Sequence, residues 1–143
     1  MAKSNEERVR FANDEILGKG NLGAVDEIFA TDYVVHAGGK DYKGLGFVRR
    51  FAKLLRSAIP DLRVVEVAVL IEAGDTIAWQ RTLSGTHEAE MRGIPPSGQK
   101  VKWRDMMVTR FDGEKIAEEW TVSELAGQLL LGCGNVRRQQ GAS

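Results

Sequence analysis

The chain has 143 residues, and Lys+Arg and Asp+Glu balance at 20 each, giving a formal net charge of zero; that length suits one domain, residues 1–143, with a real core, and the lack of a basic excess removes the electrostatic case for nucleic acid as a partner. The single Cys133 cannot form an internal disulfide, and with two histidines and no cysteine pair no structural metal site is expected. The amino end, MAKSNEERVRFANDE, is polar rather than a signal core, and no apolar run is long enough to cross a bilayer, so a cytoplasmic protein without a membrane partner is expected.

Ser4 and Glu7 stand at capping-box spacing, and Val9, Ala12 and Ile16 recur at helical intervals, so residues 4–17 are expected to form a first helix ended by Gly18 and Gly20. A short second helix follows from Asn21, with Leu22, Val25, Ile28 and Phe29 inward. Tyr33–His36 reads as a strand running into a glycine-rich turn, AGGKDYKG, which lacks any phosphate-loop pattern. In 45–59 the apolar Val48, Phe51, Leu55 and Ile59 share one face and Arg49, Arg50, Lys53 and Arg56 the other, a third helix with a solvated basic side.

From Leu62 the period becomes two. Residues 62–72 and 76–90 read as strands, the second carrying Ile77, Trp79, Arg81, Leu83, Gly85 and His87 on one face. The last two strands form a hairpin turning at Asp112-Gly113. With those two as the loop, Met107 opposes Glu118 and Asp105 opposes Trp120. One apolar face then carries Trp103, Asp105, Met107, Thr109 and Phe111 beside Ile116, Glu118, Trp120 and Val122, while Glu119 points outward. A short helix at 124–131 and a frayed tail from about Cys133 end the chain. Helices first and antiparallel strands after predict an α+β domain, three N-terminal helices closing a curved antiparallel sheet around a deep pocket.

The runs Ser84-Gly85-Thr86-His87, Gly93-Ile94-Pro95-Pro96-Ser97-Gly98, Trp103-Arg104-Asp105 and Asp112-Gly113-Glu114-Lys115-Ile116 followed by Glu118-Glu119-Trp120 resemble the SnoaL-like polyketide cyclases of the nuclear-transport-factor-2-like superfamily. The resemblance implies a cone-shaped fold and a cofactor-free, metal-free intramolecular aldol condensation. A pocket carboxylate would serve as general acid and base, with histidine nearby. Relatives hydroxylate with partner proteins, isomerise steroids or open epoxides, and commonly dimerise through the outer face of the sheet. By position, the resemblance points to Asp105, a carboxylate of the Glu118-Glu119-Trp120 motif and His36. Where the cyclases carry a last-strand aspartate, this chain offers Glu118 and Glu119, facing opposite ways.

Two acids on an apolar face are expensive unless paired or used. Burial beside Trp103, Trp120 and Met107 would raise a carboxyl pKa, and Asp105 and Glu118 as diagonal neighbours could share a proton. Asp105 could equally pair with the inward Arg81. His36 at a strand end and His87 beside Gly85 complete the candidate catalytic set. Trp79, Arg81, Trp103, Met107, Trp120 and Phe51 are the expected wall of a pocket for a flat, apolar or aromatic molecule. Three readings follow: a cofactor-independent cyclase or isomerase, an epoxide hydrolase or accessory hydroxylase using the same acids, and a non-catalytic small-ligand-binding domain. A homodimer or higher homo-oligomer is the expected assembly.

Overall fold

Ser4 Oγ accepts from the Glu7 N–H at 3.1 Å while the Glu7 carboxylate accepts from the Ser4 N–H, and this capping box opens helix α1, Asn5–Ala12. The structure, a computed structural model, describes residues 3–132; the tail expected from about residue 133 lies outside the described residues. Beyond α1 the chain widens into a π-helical turn, Asn13–Gly18, instead of continuing as the expected α-helix. Such turns are often found at functional positions. This one holds Asn13, a buried polar residue, toward the sheet.

A 3₁₀ turn, Leu22–Ala24, and the four-residue α2, Val25–Ile28, lead into strand β1, Phe29–Ala37, longer than expected. The glycine-rich stretch is not wholly a turn. Only Gly38 and Gly39 turn, at φ 59° and 77°, and Lys40–Lys43 pairs back on β1 as strand β2. Helix α3, Leu45–Ala58, buries Val48, Ala52, Leu55 and Ala58. Its basic side is only partly solvated. Arg56 Nη1 donates to the Leu17 carbonyl at 2.6 Å and Arg49 pairs with Asp26 at 2.6 Å, tying α3 to the π turn and to α2.

Strands β3 (Arg63–Ala73), β4 (Thr76–Thr86), β5 (Lys100–Asp112) and β6 (Lys115–Ser123) complete one sheet in the order β2-β1-β6-β5-β4-β3. The sheet is not wholly antiparallel. The β3–β6 meander brings β6 back beside β1 running in the same direction, a parallel pair in its middle. A last helix, α4, occupies residues 125–132. The fold is α+β, a cone: the sheet is curved and unclosed, with side chains of α1, α3 and α4 facing its inner surface. No helix among the described residues is long and apolar enough to cross a membrane.

The closing contact between α3 and the sheet depends on Gly85. A Cβ there would lie 2.2 Å from Ile59 Cγ2 and 3.4 Å from the Leu62 backbone. Ile59 is wholly buried and has little room to retreat. Gly85→Ala is therefore expected to destabilise the fold by about 1–3 kcal/mol, read as a lower midpoint in urea unfolding; an unchanged midpoint would contradict this packing.

Candidate active site

The β5–β6 hairpin turns one position later than the Asp112-Gly113 loop implies. Asp112 pairs with Lys115, so Gly113 and Glu114 form the loop. The register then slips: Phe111 faces Ile116, but Arg110 faces Glu118, leaving Ala117 as an extra residue. This is a β-bulge, and it turns over every side chain beyond it. Ile116 and Ala117 are both buried. Past them Glu119 points inward and Glu118 and Trp120 point out, the reverse of the expected arrangement.

The concave face encloses a cavity of about 680 Å³. Its wall includes Phe51, Trp79, Trp103 and Met107 as expected, joined by Phe47 and Leu55 of α3 and Leu129 of α4. Asp105 and Arg81 sit on it as a directly opposed cross-strand pair. Arg81 Nε donates to Asp105 Oδ2 at 2.8 Å and Arg81 Nη1 donates to Asn13 Oδ1 at 3.0 Å. Asn13 Nδ2 in turn donates to the Val9 carbonyl at 2.8 Å, so the helix fixes the guanidinium and the guanidinium fixes the carboxylate. Asp105 Oδ1 is buried and has no hydrogen-bond partner among the described residues.

The second inward carboxyl is Glu119. Tyr33 Oη donates to its Oε1 at 2.7 Å, and Thr109 Oγ1 donates to its Oε2 at 2.5 Å while accepting from Trp79 Nε1 at 2.8 Å. Burial pushes the Glu119 pKa above the ordinary carboxylate value, against the hydrogen bonds and the Arg81 charge, which lower it. Burial also pushes the Tyr33 phenol well above its usual value, and the neighbouring Glu119 charge acts in the same direction. At the cavity mouth Met91 and Ile94 exchange backbone hydrogen bonds of 3.0 and 2.9 Å around a tight turn. Arg92 within it has φ 50°, a left-handed conformation uncommon for a side-chain-bearing residue.

The remaining candidates are not on this surface. His36 and Glu118 face outward, with His36 Nε2 2.7 Å from Glu118 Oε2 and Nδ1 2.6 Å from Asp41 Oδ1. Trp120 is 41% exposed and stacks on His36 at 5.2 Å between ring centres, so it does not line the cavity. His87 is fully buried, with neither ring nitrogen hydrogen-bonded among the described residues, and it too lies outside the cavity wall. The Asp105–Glu118 proton-sharing pair therefore does not form, because the bulge puts the two acids on opposite faces.

The outer cluster carries its own pH signature. Hydrogen bonds that His36 donates to Glu118 and Asp41 raise its pKa, and the bond to Glu118 lowers that of the carboxyl. A raised histidine stabilises fully below its unfolded value of about 6.5 and loses that contribution as pH rises through the folded value. A lowered glutamate stabilises fully above about 4.3 and loses it as pH falls through the folded value. The melting-temperature difference between the parent and His36→Gln is thus expected to be largest between those two values and to shrink at alkaline pH; a difference growing above neutrality would contradict the ion pairs.

A model of the SnoaL-like polyketide cyclases matches residues 7–130. The chain belongs to the SnoaL-like polyketide cyclase family. Solved structures agree on the fold. AclR from Streptomyces galilaeus, a candidate hydroxylase, is 25% identical with a TM-score of 0.72, the match covering 92% of this chain and 98% of AclR. A candidate polyketide cyclase from Acidithiobacillus ferrooxidans is 24% identical with a TM-score of 0.76, covering 96% and 99%. IdmH from Streptomyces antibioticus, a candidate polyketide cyclase, is 22% identical with a TM-score of 0.72, covering 92% and 99%. No curated protein sequence matches the chain.

In this SnoaL-like chain the cavity wall also holds three buried polar residues outside the expected set: Asn13, Tyr33 and Glu119. Each left a trace in the sequence. Asn13 falls four residues after Val9 and three before Ile16, within the apolar stripe of the first helix. Tyr33 alternates with Val35 on the inward side of β1. The adjacent apolar pair Ile116-Ala117 is what a bulge with two inward residues requires.

Proposed function

We propose that this chain is a cofactor-independent cyclase-like enzyme, closing a ring in a flat, mainly apolar carbonyl compound with Asp105 as the base. The observation that carries the reading is Asp105 Oδ1, a buried acceptor without a partner on the wall of an aromatic-lined cavity. A native interior rarely leaves such an oxygen unused. Arg81 occupies Oδ2 and fixes the carboxylate, while its Nη2 makes no hydrogen bond among the described residues and can meet an oxygen. In the step proposed, Oδ1 removes a proton from carbon next to a carbonyl, and Arg81 stabilises the charge developing on the enolate oxygen. The enolate carbon then bonds to a second carbonyl carbon of the same molecule, and the resulting alkoxide takes up a proton.

The test is incubation of the protein with aromatic esters bearing a diketone side chain, followed by chromatography and mass spectrometry. Ring closure by aldol addition gives a product of unchanged mass and altered absorption, and its rate of formation must fall by about 100-fold or more in Asp105→Asn. A second reading, hydroxylation, is favoured by the likeness to AclR. It predicts a product heavier by one oxygen when molecular oxygen and a reductant or a reducing partner protein are added to the same assay.

The outer face of the sheet supports a homodimer as part of this reading. Leu70, Met106, Trp120 and Val122 are exposed around a shallow groove of about 670 Å³. Contiguous apolar surface of this kind is usually covered. Trp120→Asp is expected to shift the protein toward monomer in analytical ultracentrifugation, and a parent protein that sediments as a monomer would end the proposal.

A further inference from the structure

The hydrogen bonds around Glu119 constrain where its protons can go. Trp79 Nε1 is a donor only, so Thr109 Oγ1 must accept from it, and the single Thr109 hydroxyl hydrogen is directed at Glu119 Oε2. Oε2 is thereby held as an acceptor. A proton on this carboxyl belongs on Oε1, 2.7 Å from Tyr33 Oη. With Glu119 ionised, the Tyr33 hydroxyl donates to Oε1. With Glu119 neutral, Oε1–H donates to Tyr33 Oη, and the tyrosine hydrogen must turn away. Tyr33 lines the cavity, so that hydrogen is released toward a bound molecule.

We propose that Tyr33 is the proton donor of this site and that Glu119 resupplies it. The proposal rests on the cyclase reading. Tyr33 Oη–H protonates the alkoxide left by carbon–carbon bond formation, and the Oε1 proton of Glu119 passes to Tyr33 Oη in the same movement. Asp105 ends the cycle carrying the proton taken from carbon, and Glu119 ends it ionised. Loss of one proton from Asp105 and gain of one by Glu119, through solvent at the mouth, restore the site with no net change. Tyr33 thus takes the catalytic role left vacant by the outward-facing His36, and Thr109 and Trp79 act as positioning residues.

Burial favours the neutral carboxyl that the relay needs, and Arg81 opposes it. The charged or titratable groups facing Glu119 across the cavity are Tyr33 on β1, Arg81 on β4 and Asp105 on β5, with Lys40, Tyr42 and Arg92 toward the mouth. The helical wall adds Asn13 and apolar side chains, and His36 and Glu118 lie on the opposite face of the sheet.

The relay can be tested without turnover, using 9-fluorenone, a flat ketone that only accepts hydrogen bonds, and fluorene, the hydrocarbon of similar shape. Binding of each to the full chain is measured from about pH 5 to about pH 9, bracketing a raised carboxyl. For the parent protein, fluorenone affinity is expected to rise about two- to tenfold as pH falls and Glu119 is protonated, the worth of one hydrogen bond, while fluorene affinity stays flat. Tyr33→Phe should abolish the pH dependence. Glu119→Gln should bind the ketone tightly at all pH values, because its amide N–H donates to Tyr33 Oη as the neutral carboxyl does. Fluorenone binding that ignores pH in the parent, or keeps its pH dependence in Tyr33→Phe, overturns the proposal. A parent protein that closes no ring, or an Asp105→Asn protein that closes rings as fast as the parent, would instead overturn the cyclase reading with Asp105 as its base, leaving the fluorenone result intact.

Discussion

Asp105→Asn is expected to lower turnover about 10²- to 10⁴-fold, the range lost when a general base is removed. The substitution keeps the shape of the side chain, and its carbonyl oxygen can still accept from Arg81 Nε as Oδ2 does now. What changes is the other atom: the unpartnered acceptor Oδ1 becomes an amide donor that cannot take a proton from carbon. Ligand affinity is therefore expected to change little, since the apolar wall supplies most of the contact. Single-turnover product formation and calorimetric binding, measured on the same preparation, separate the two effects. A variant that loses binding yet turns over normally when saturated would remove Asp105 from the chemistry and return it to a structural ion pair.

The second large effect is on stability. Arg81→Met removes the cation from a pair whose side chains are 12% and 5% exposed. Asp105 would then be buried with both oxygens unpartnered, and Asn13 Oδ1 would lose its donor as well. Breaking one side of a buried pair costs about 3–5 kcal/mol, a large share of the stability of a domain this size. Replacing both partners, Arg81→Met with Asp105→Leu, should recover much of the loss, because an apolar pair of similar volume leaves no stranded charge. Urea unfolding of the parent, the two single variants and the double variant closes the cycle. Additive effects, or an Arg81→Met variant as stable as the parent, would show that the pair does not carry the coupling assigned to it.

Strict alternation was enough to read β4 and most of β5. Trp79, Arg81 and Leu83 on one strand and Trp103, Asp105, Met107 and Thr109 on the other face inward as the period of two requires, and the Arg81–Asp105 pair follows from their opposition. The same rule failed on β6 because alternation carries no record of an inserted residue. Choosing Asp112-Gly113 as the loop and counting in twos sends Glu118 inward; the later turn moves the pairing by two residues and keeps the faces, and the extra Ala117 is what sends Glu119 there instead. Helical spacing had a matching blind spot. It assumes one turn width, and the π turn at Asn13–Gly18 sets Asn13 against Arg81 at a position where a polar residue looks like a flaw in the stripe. His36 was misread for a third reason. A strand end resembles a pocket mouth in one dimension, yet Tyr33 and Val35 already occupied the inward side of β1 and left His36 the outer one.

The extra residue at Ala117 also bears on how such a protein could change what it does. Substitutions alter a pocket one side chain at a time. Drawing Ala117 into the regular pairing, so that no residue bulges, would instead exchange the two faces of the strand beyond it, bringing Glu118 and Trp120 inside and sending Glu119 out. A scaffold shared by many chemistries thus has a route between them that passes through strand register rather than through residue identity. Two relatives with the same Glu-Glu-Trp letters would then hold different acids in their cavities, and an ungapped comparison of their last strands would equate residues that never meet the same ligand.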